Sequence, residues 1–321
     1  MLTCPSKYFW WSLQGVQENI TKRVEMFRRA AQSLGKTVFL TSQTSLRAQP
    51  LISSIGTCRG RRTLVTKASA TEDAAAVNRK ARLELAVAYR VLDRYGMNEG
   101  VCNHLTLITK ATNGEGQVML LIPHGRHWSQ VTASSLIGLN SQNEIVEGDG
   151  HNELAASTIH RGIHNIRPDA SANCVMHLHS PYVTALSCLE DPRFLMIHQH
   201  MMRFYKGVGY DDNYCGYPEA VAEGERLGAC MREDDVLIMG NHGLVTIGGT
   251  VAEAFDKAYY VERAAMIQLI AMSSGKPLKH IPKEVCEKTY LDSRKKLEFY
   301  ANQHFNGMMK VILKETPDVA D

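Results

Sequence analysis

No run of about 18 apolar residues occurs anywhere in the 321-residue chain, so no membrane-spanning helix is expected. Paired cysteine motifs are also missing. The eight cysteines, Cys4, Cys58, Cys102, Cys174, Cys188, Cys215, Cys230 and Cys286, form no C-x-x-C and no tight cluster. That spacing argues against a disulfide-stapled secreted scaffold and against a cysteine-rich zinc module, and the cysteines read as reduced thiols. Acidic residues are scarce at the start. The first 70 positions hold eleven Lys/Arg against only Glu18 and Glu25, a balance of +9 that leaves −6 for the rest of a chain totalling +3.

A basic, Ser/Thr-rich, acid-poor amino terminus has the composition of an organelle transit peptide. Ile20–Leu34 is able to form a cationic amphipathic helix with Val24, Phe27 and Ala31 on one face. Mitochondrial targeting is one expectation, and a functionless disordered leader in a cytoplasmic protein is the other. The basic residues are scattered and the chain beyond them is acidic, so no nucleic-acid partner is expected.

Folding signals begin near Ala74, which sets expected boundaries at residues 1–73 (leader), 74–275 (domain) and 276–321 (helical tail). Between Asp73 and Tyr95 apolar residues recur at helical spacing until Gly96 ends the run. Leu105–Thr109 and Val118–Ile122 read as strands joined through Asn113-Gly114-Glu115-Gly116, a hairpin signal. Thr132 caps an expected short helix over Ala133–Ile137, and Gly138–Ile145 reads as a strand pair. Helices are expected over His151–Ile166, Pro181–Leu189, Tyr217–Met231 and Val251–Met272, with strands at Cys174–Leu178, Val236–Met239 and Leu244–Ile247. The pattern describes an α/β domain of three layers, α/β/α, whose central sheet is mainly antiparallel or mixed. One or two amphipathic helices and a frayed end are expected after Pro282.

The chemistry lies in the histidines. In Val175-Met176-His177-Leu178-His179 the strand period of two puts both imidazoles on one face, where they can share an ion with bonds of roughly 2.0–2.1 Å. Taken alone, such a pair also fits two polar residues on a solvated strand. Asn241-His242-Gly243 lies between two apolar strands, and His242 alone also fits a structural role. Together, His177, His179 and His242 meet the ligand count of an open catalytic site for a divalent metal ion, with Zn2+ the expected one.

His177-Leu178-His179-Ser180-Pro181-Tyr182-Val183-Thr184-Ala185-Leu186 closely resembles the HxHSP(Y)xTAL stretch of the class II aldolase/adducin family. Asn241-His242-Gly243-Leu244 resembles that family's third-ligand loop, and Tyr260-Val261-Glu262-Arg263-Ala264 its closing helix. Gly100-Val101-Cys102-Asn103-His104, Ile122-Pro123-His124-Gly125 and Thr132-Ala133-Ser134-Ser135-Leu136 are similar to its upstream elements. The resemblance runs in register from about residue 78 to 275. It implies the class II aldolase/adducin head fold, a zinc-dependent carbon–carbon lyase and a homo-oligomer, with a tetramer the default. The tail after Gly275 is then a candidate to complete a neighbour's pocket.

In the family a catalytic glutamate lies four residues before a helix histidine, here His160, and position 156 is Ala156. The two preceding phosphate-contacting positions are Leu154 and Ala155, which carry no hydrogen-bonding side chain. Sugar-phosphate cleavage is therefore not expected. Glu153 is the candidate replacement base and Tyr210 a candidate proton donor, although each also fits an ordinary role, surface carboxylate or core tyrosine. The resemblance marks Asn103, Gly125 and Gln199 as substrate-binding. Two functions follow: a metal-dependent lyase or epimerase on a small non-phosphorylated hydroxy-carbonyl compound, or a non-enzymatic adducin-like partner of actin and spectrin in the cytoskeleton.

Overall fold

The computed structural model describes residues 73–321 except Pro168, Cys215, Tyr217, Pro218, Arg232 and Glu233. The basic leader and its expected amphipathic helix lie outside the described residues.

The first helix, α1, spans Ala74–Arg94; the Asp73 carboxylate caps it through the Ala75 N–H at 3.2 Å. Its apolar stripe, including Leu85, Tyr89 and Leu92, is fully buried. Gly96, at φ 65°, takes the left-handed conformation that closes the helix. The strands follow as β1 (Leu105–Lys110), β2 (Gln117–Leu121), β3 (Ile137–Leu139) and β4 (Ile145–Glu147). After helix α2 (Leu154–Asn165) come β5 (Cys174–Leu178) and helix α3 (Pro181–Ser187). The chain continues through β6 (Gly209–Asp211), α4 (Ala220–Met231), β7 (Val236–Met239), β8 (Gly243–Gly248) and α5 (Val251–Met272).

One eight-stranded sheet results, in the order β4-β3-β2-β1-β5-β8-β7-β6. The β6–β7 pair is parallel and the other pairs are antiparallel, the mixed sheet expected of an α/β/α domain. Alternation along β5 separates the two apolar layers. Met176 and Leu178 face the core built by α1, α5 and α3, whereas Val175 faces the layer under α2 and α4 with Ile163, Leu227 and Met231. Those two helices touch backbone to backbone. A Cβ on Gly162 would lie 2.8 Å from the Gly224 backbone, so α2 is seated closely against α4.

Three sequence expectations need correction. Residues 133–136 form a turn rather than a helix. The Ala133 and Ser134 amides donate to the carbonyls of Val319 and Asp321, and β3 claims the chain from Ile137. Helix α2 begins at Leu154, later than expected, with Glu153 at its N-cap position. The tail is not frayed. Helices α6 (Lys283–Lys295) and α7 (Leu297–Glu315) lead to a final 3-10 turn, Pro317–Ala320. Ala301, Phe305, Ile312 and Val319 are buried in the main core, and Arg90 pairs with Asp318. The core therefore extends past residue 275.

Candidate metal centre

His177 sits on β5 opposite Val245 of β8, and His179 lies just beyond the strand end. His242 stands in the tight turn between β7 and β8, where Asn241 adopts φ 55°. Gly243 is required there. A Cβ at that position would lie 2.4 Å from the Leu178 carbonyl and 3.0 Å from the His179 ring. The turn thus brings His242 against the end of β5.

The three imidazoles form a nearly equilateral cluster. Ring centroids are 4.8 Å apart for His177–His179, 4.9 Å for His177–His242 and 4.8 Å for His179–His242. One nitrogen from each lies within 4.8 Å of the other two. Hydrogen bonds assign the tautomers. His177 Nδ1 donates to the Leu244 carbonyl at 3.1 Å, and His179 Nδ1 donates to the Glu99 carboxylate. The bare Nε2 atoms of both rings then face each other at 3.1 Å. Two lone pairs at that separation repel unless a cation lies between them. Two ligands of a tetrahedral ion with bonds of roughly 2.0 Å are about 3.3 Å apart, so the donor set fits such an ion.

Burial first, then the His242 and His179 rings, pushes His177 well below its ordinary pKa. Burial and the His179 ring likewise lower His242. Neutral imidazoles are the form that binds metal.

The supporting shell is built from the adjoining loop and helix. Asn103, held at φ 69°, accepts the His179 amide on its Oδ1 at 3.1 Å. Glu262 reaches from α5 to the start of α3, accepting from Ser180 Oγ at 2.8 Å and from the Tyr182 and Val183 amides at 2.9 Å each. A buried carboxylate thus caps the helix that begins next to His179.

The other sequence candidates lie as follows. Glu153 turns to two imidazoles, His104 Nε2 at 3.4 Å and His124 Nδ1 at 3.3 Å. The hydrogen bond from His104 leads in holding its carboxyl below the ordinary range, so it is ionised. Tyr210, on β6, accepts the Phe194 amide at 3.1 Å, and Arg193 lies over its ring; burial raises its pKa. Gly125 occupies an exposed turn at φ 83°, and Gln199 is exposed at the start of the 3-10 turn Gln199–Phe204. Trp128 is fully buried with its ring edge-on to Tyr89 at 4.9 Å, a packing role.

Sequence reasoning missed Glu99, which has no marker beyond preceding the Gly100–His104 loop. Glu262 stands in the closing-helix pattern, where nothing local marks it as the cap of another helix. Thr106 and His164 carry little signal either, since only the spacing of four between His160 and His164 on one helix face sets them apart.

The fold and the converging histidines together define a class II aldolase type of domain. The chain belongs to the Class II Aldolase and Adducin N-terminal domain family, whose model matches residues 83–269. It is 33% identical to alpha-adducin of Rattus norvegicus over 203 residues, 60% of this chain and 26% of the adducin. The chain thus spans about a quarter of the length of the adducins it matches. A Pseudomonas aeruginosa protein named for the aldolase class 2 family is 30% identical over 205 residues, covering 64% of this chain and 76% of that protein. Among solved structures, an aldolase II superfamily protein from Pseudomonas syringae superimposes with TM-score 0.67 at 28% identity, covering 76% of this chain and 96% of that one. L-fuculose 1-phosphate aldolase from Glaciozyma antarctica shares the fold, with TM-score 0.64 at 23% identity over 74% of this chain and 92% of that one.

Proposed function

We propose that this chain is a metal-dependent lyase or epimerase acting on a small, non-phosphorylated hydroxy-carbonyl compound. The observation that carries the reading is the pair of bare Nε2 atoms 3.1 Å apart, each fixed by an Nδ1 hydrogen bond. A divalent ion held there, Zn2+ in this reading, supplies Lewis-acid stabilisation of negative charge on a carbonyl oxygen. The protein's own groups do the rest. Glu99 and the Leu244 carbonyl hold the rings in their ligand tautomers, and Asn103 fixes the backbone that carries His179.

Phosphate has no partner in the expected place, since Leu154, Ala155 and Ala156 offer no polar side chain at the start of α2. Glu153 is ionised and therefore suited to accepting a proton, which makes it the base of this reading. Tyr210 receives no role, because burial raises its pKa and so makes the phenol a weaker proton donor.

The test is the metal content of the purified protein by inductively coupled plasma analysis, followed by retro-aldol and epimerisation screens with His177→Ala as control. A stoichiometric divalent ion and turnover lost in the variant are expected. Protein that takes up no metal and turns over no hydroxy-carbonyl would sink the reading.

A second reading rests on the adducin similarity, that is, contact with actin or spectrin. Co-sedimentation with actin filaments at near-physiological salt tests it, and absence of pelleting removes it. The homotetramer implied by the family resemblance is part of the proposal and is read by light scattering.

A further inference from the structure

A second group of side chains sits beside the three histidines, in the layer between α2 and the sheet. Thr106 pairs with Val175 across β1 and β5, and Val175 faces that layer. The strand period therefore turns Thr106 and His177 to the same side, and the His177 amide bonds the His104 carbonyl at 3.0 Å. From α2, His160 and His164 come down one turn apart to meet them. Thr106 Oγ1 lies 2.9 Å from His160 Nδ1 and 2.8 Å from His164 Nε2, and His164 Nδ1 lies 2.5 Å from the Ala172 carbonyl.

These contacts fix every proton. A carbonyl can only accept, so His164 Nδ1 carries hydrogen. His164 is neutral, since burial pushes its pKa down to about 4, and its Nε2 must then accept from the Thr106 hydroxyl. That hydroxyl's single proton is thereby committed. Toward His160, Thr106 can only accept, so His160 carries its hydrogen on Nδ1. Burial, with His104, His177 and His164 nearby, disfavours the charged form of His160. Its Nε2 is therefore a bare lone pair.

Among the described residues, no group uses that lone pair. His160 Nε2 is buried without a hydrogen-bond partner in a residue only 3% exposed. The His104 ring stands edge-on with its centroid 6.2 Å away, its own Nε2 turned to Glu153 at 3.4 Å. Folded proteins rarely leave a buried acceptor unmatched, and those that persist point to a missing ligand or water. Here three groups in series hold the acceptor in one tautomer.

We propose that His160 Nε2 is the acceptor for a hydroxyl group of the ligand bound at this site, with Thr106 and His164 as positioning residues that keep its lone pair presented. The inference rests on the hydroxy-carbonyl reading above and deepens it. A neutral nitrogen lone pair accepts from an uncharged O–H and repels an anionic oxygen, so it selects hydroxyl over phosphate or carboxylate at that point.

The test is 15N NMR of histidine-labelled, Zn2+-loaded protein titrated with hydroxyacetone, and with acetone as the probe lacking the hydroxyl. In the native protein His160 is expected as the Nδ1–H tautomer, and hydroxyacetone but not acetone shifts its Nε2 resonance. Thr106→Val is expected to release the tautomer and weaken hydroxyacetone binding about tenfold or more, while Thr106→Ser restores both. A His160 found as the Nε2–H tautomer overturns the inference. So does an Nε2 signal that stays still, or responds equally to acetone, while hydroxyacetone perturbs His177, His179 and His242; the metal reading survives both results. Failure of the protein to take up Zn2+, or of hydroxyacetone to perturb any histidine, overturns this inference together with the reading beneath it.

Discussion

Glu99 accepts the Nδ1 proton of His179, and this contact turns the opposite nitrogen of that ring toward Nε2 of His177. The two residues are 80 positions apart in the chain and meet because the Glu99–His104 loop lies beside the end of β5. A carboxylate behind a ligating imidazole fixes the tautomer and raises its basicity. Glu99→Ala is expected to weaken Zn2+ binding about 10- to 100-fold, measured by competition with a chromophoric chelator. An unchanged affinity would remove Glu99 from the site.

Glu262 holds three donors at the start of α3. Replacement by Leu leaves the Ser180 hydroxyl and two amides without their acceptor. Hydrogen bonds to charged groups contribute about 1.5–3 kcal/mol each, so a loss of at least about 2 kcal/mol is expected in urea unfolding. The metal site is expected to weaken with it, since Ser180 adjoins His179. Full stability in the variant would refute the capping role.

His164 titrates in the direction set by its burial. Desolvation is the main cause of its fall from 6.5 to about 4. The folded pKa lies below the unfolded one, so the unfolded chain takes up this proton first as pH falls. The contribution is present above about pH 6.5 and is lost between there and pH 4. At about 1.4 kcal/mol per pH unit, the total is on the order of 3 kcal/mol. Urea midpoints at pH 7 and pH 5 are expected to differ, and by less in His164→Gln. Equal pH slopes in the two proteins would count against it.

Phe305 of α7 is 3% exposed and packs its ring 5.5 Å from that of Phe255 in α5. Phe305→Ala is expected to cost about 3–5 kcal/mol. Removal of residues 276–321 is expected to leave insoluble protein, because it uncovers α1 and α5. A soluble, cooperatively melting truncation would show instead that the tail is dispensable.

How much of this was legible depended on the range of the signal. Helix α5 matches its expected span because Thr250 caps it locally and Gly275 lies just beyond its end. The HxH spacing revealed His177 and His179 because a strand's period is itself local. Strand β6 was not read, since the three residues of Gly209–Asp211 are too few to show a period and are held by parallel pairing with β7. Thr132 looked like a helix cap, yet strand pairing from Ile137 and the chain's last carbonyls decided the turn. Glu99 and the Thr106–His160–His164 chain were invisible as functional groups because their partners come from distant strands and helices. The tail read as an appendage because the polar spacing of Lys283–Lys295 hides that α7 behind it is a core helix.

Strand pairing of β5 with β8 has one more consequence. His177 and Met176 are neighbours pointing to opposite sheet faces, so a slip of one residue would bury the imidazole among Leu85 and Phe255 and bring the thioether to the ligand cluster. A cation gripped by all three rings would bind only molecules with the correct alignment. It would then act as a proofreader of assembly, drawing misaligned chains back toward the native arrangement during refolding.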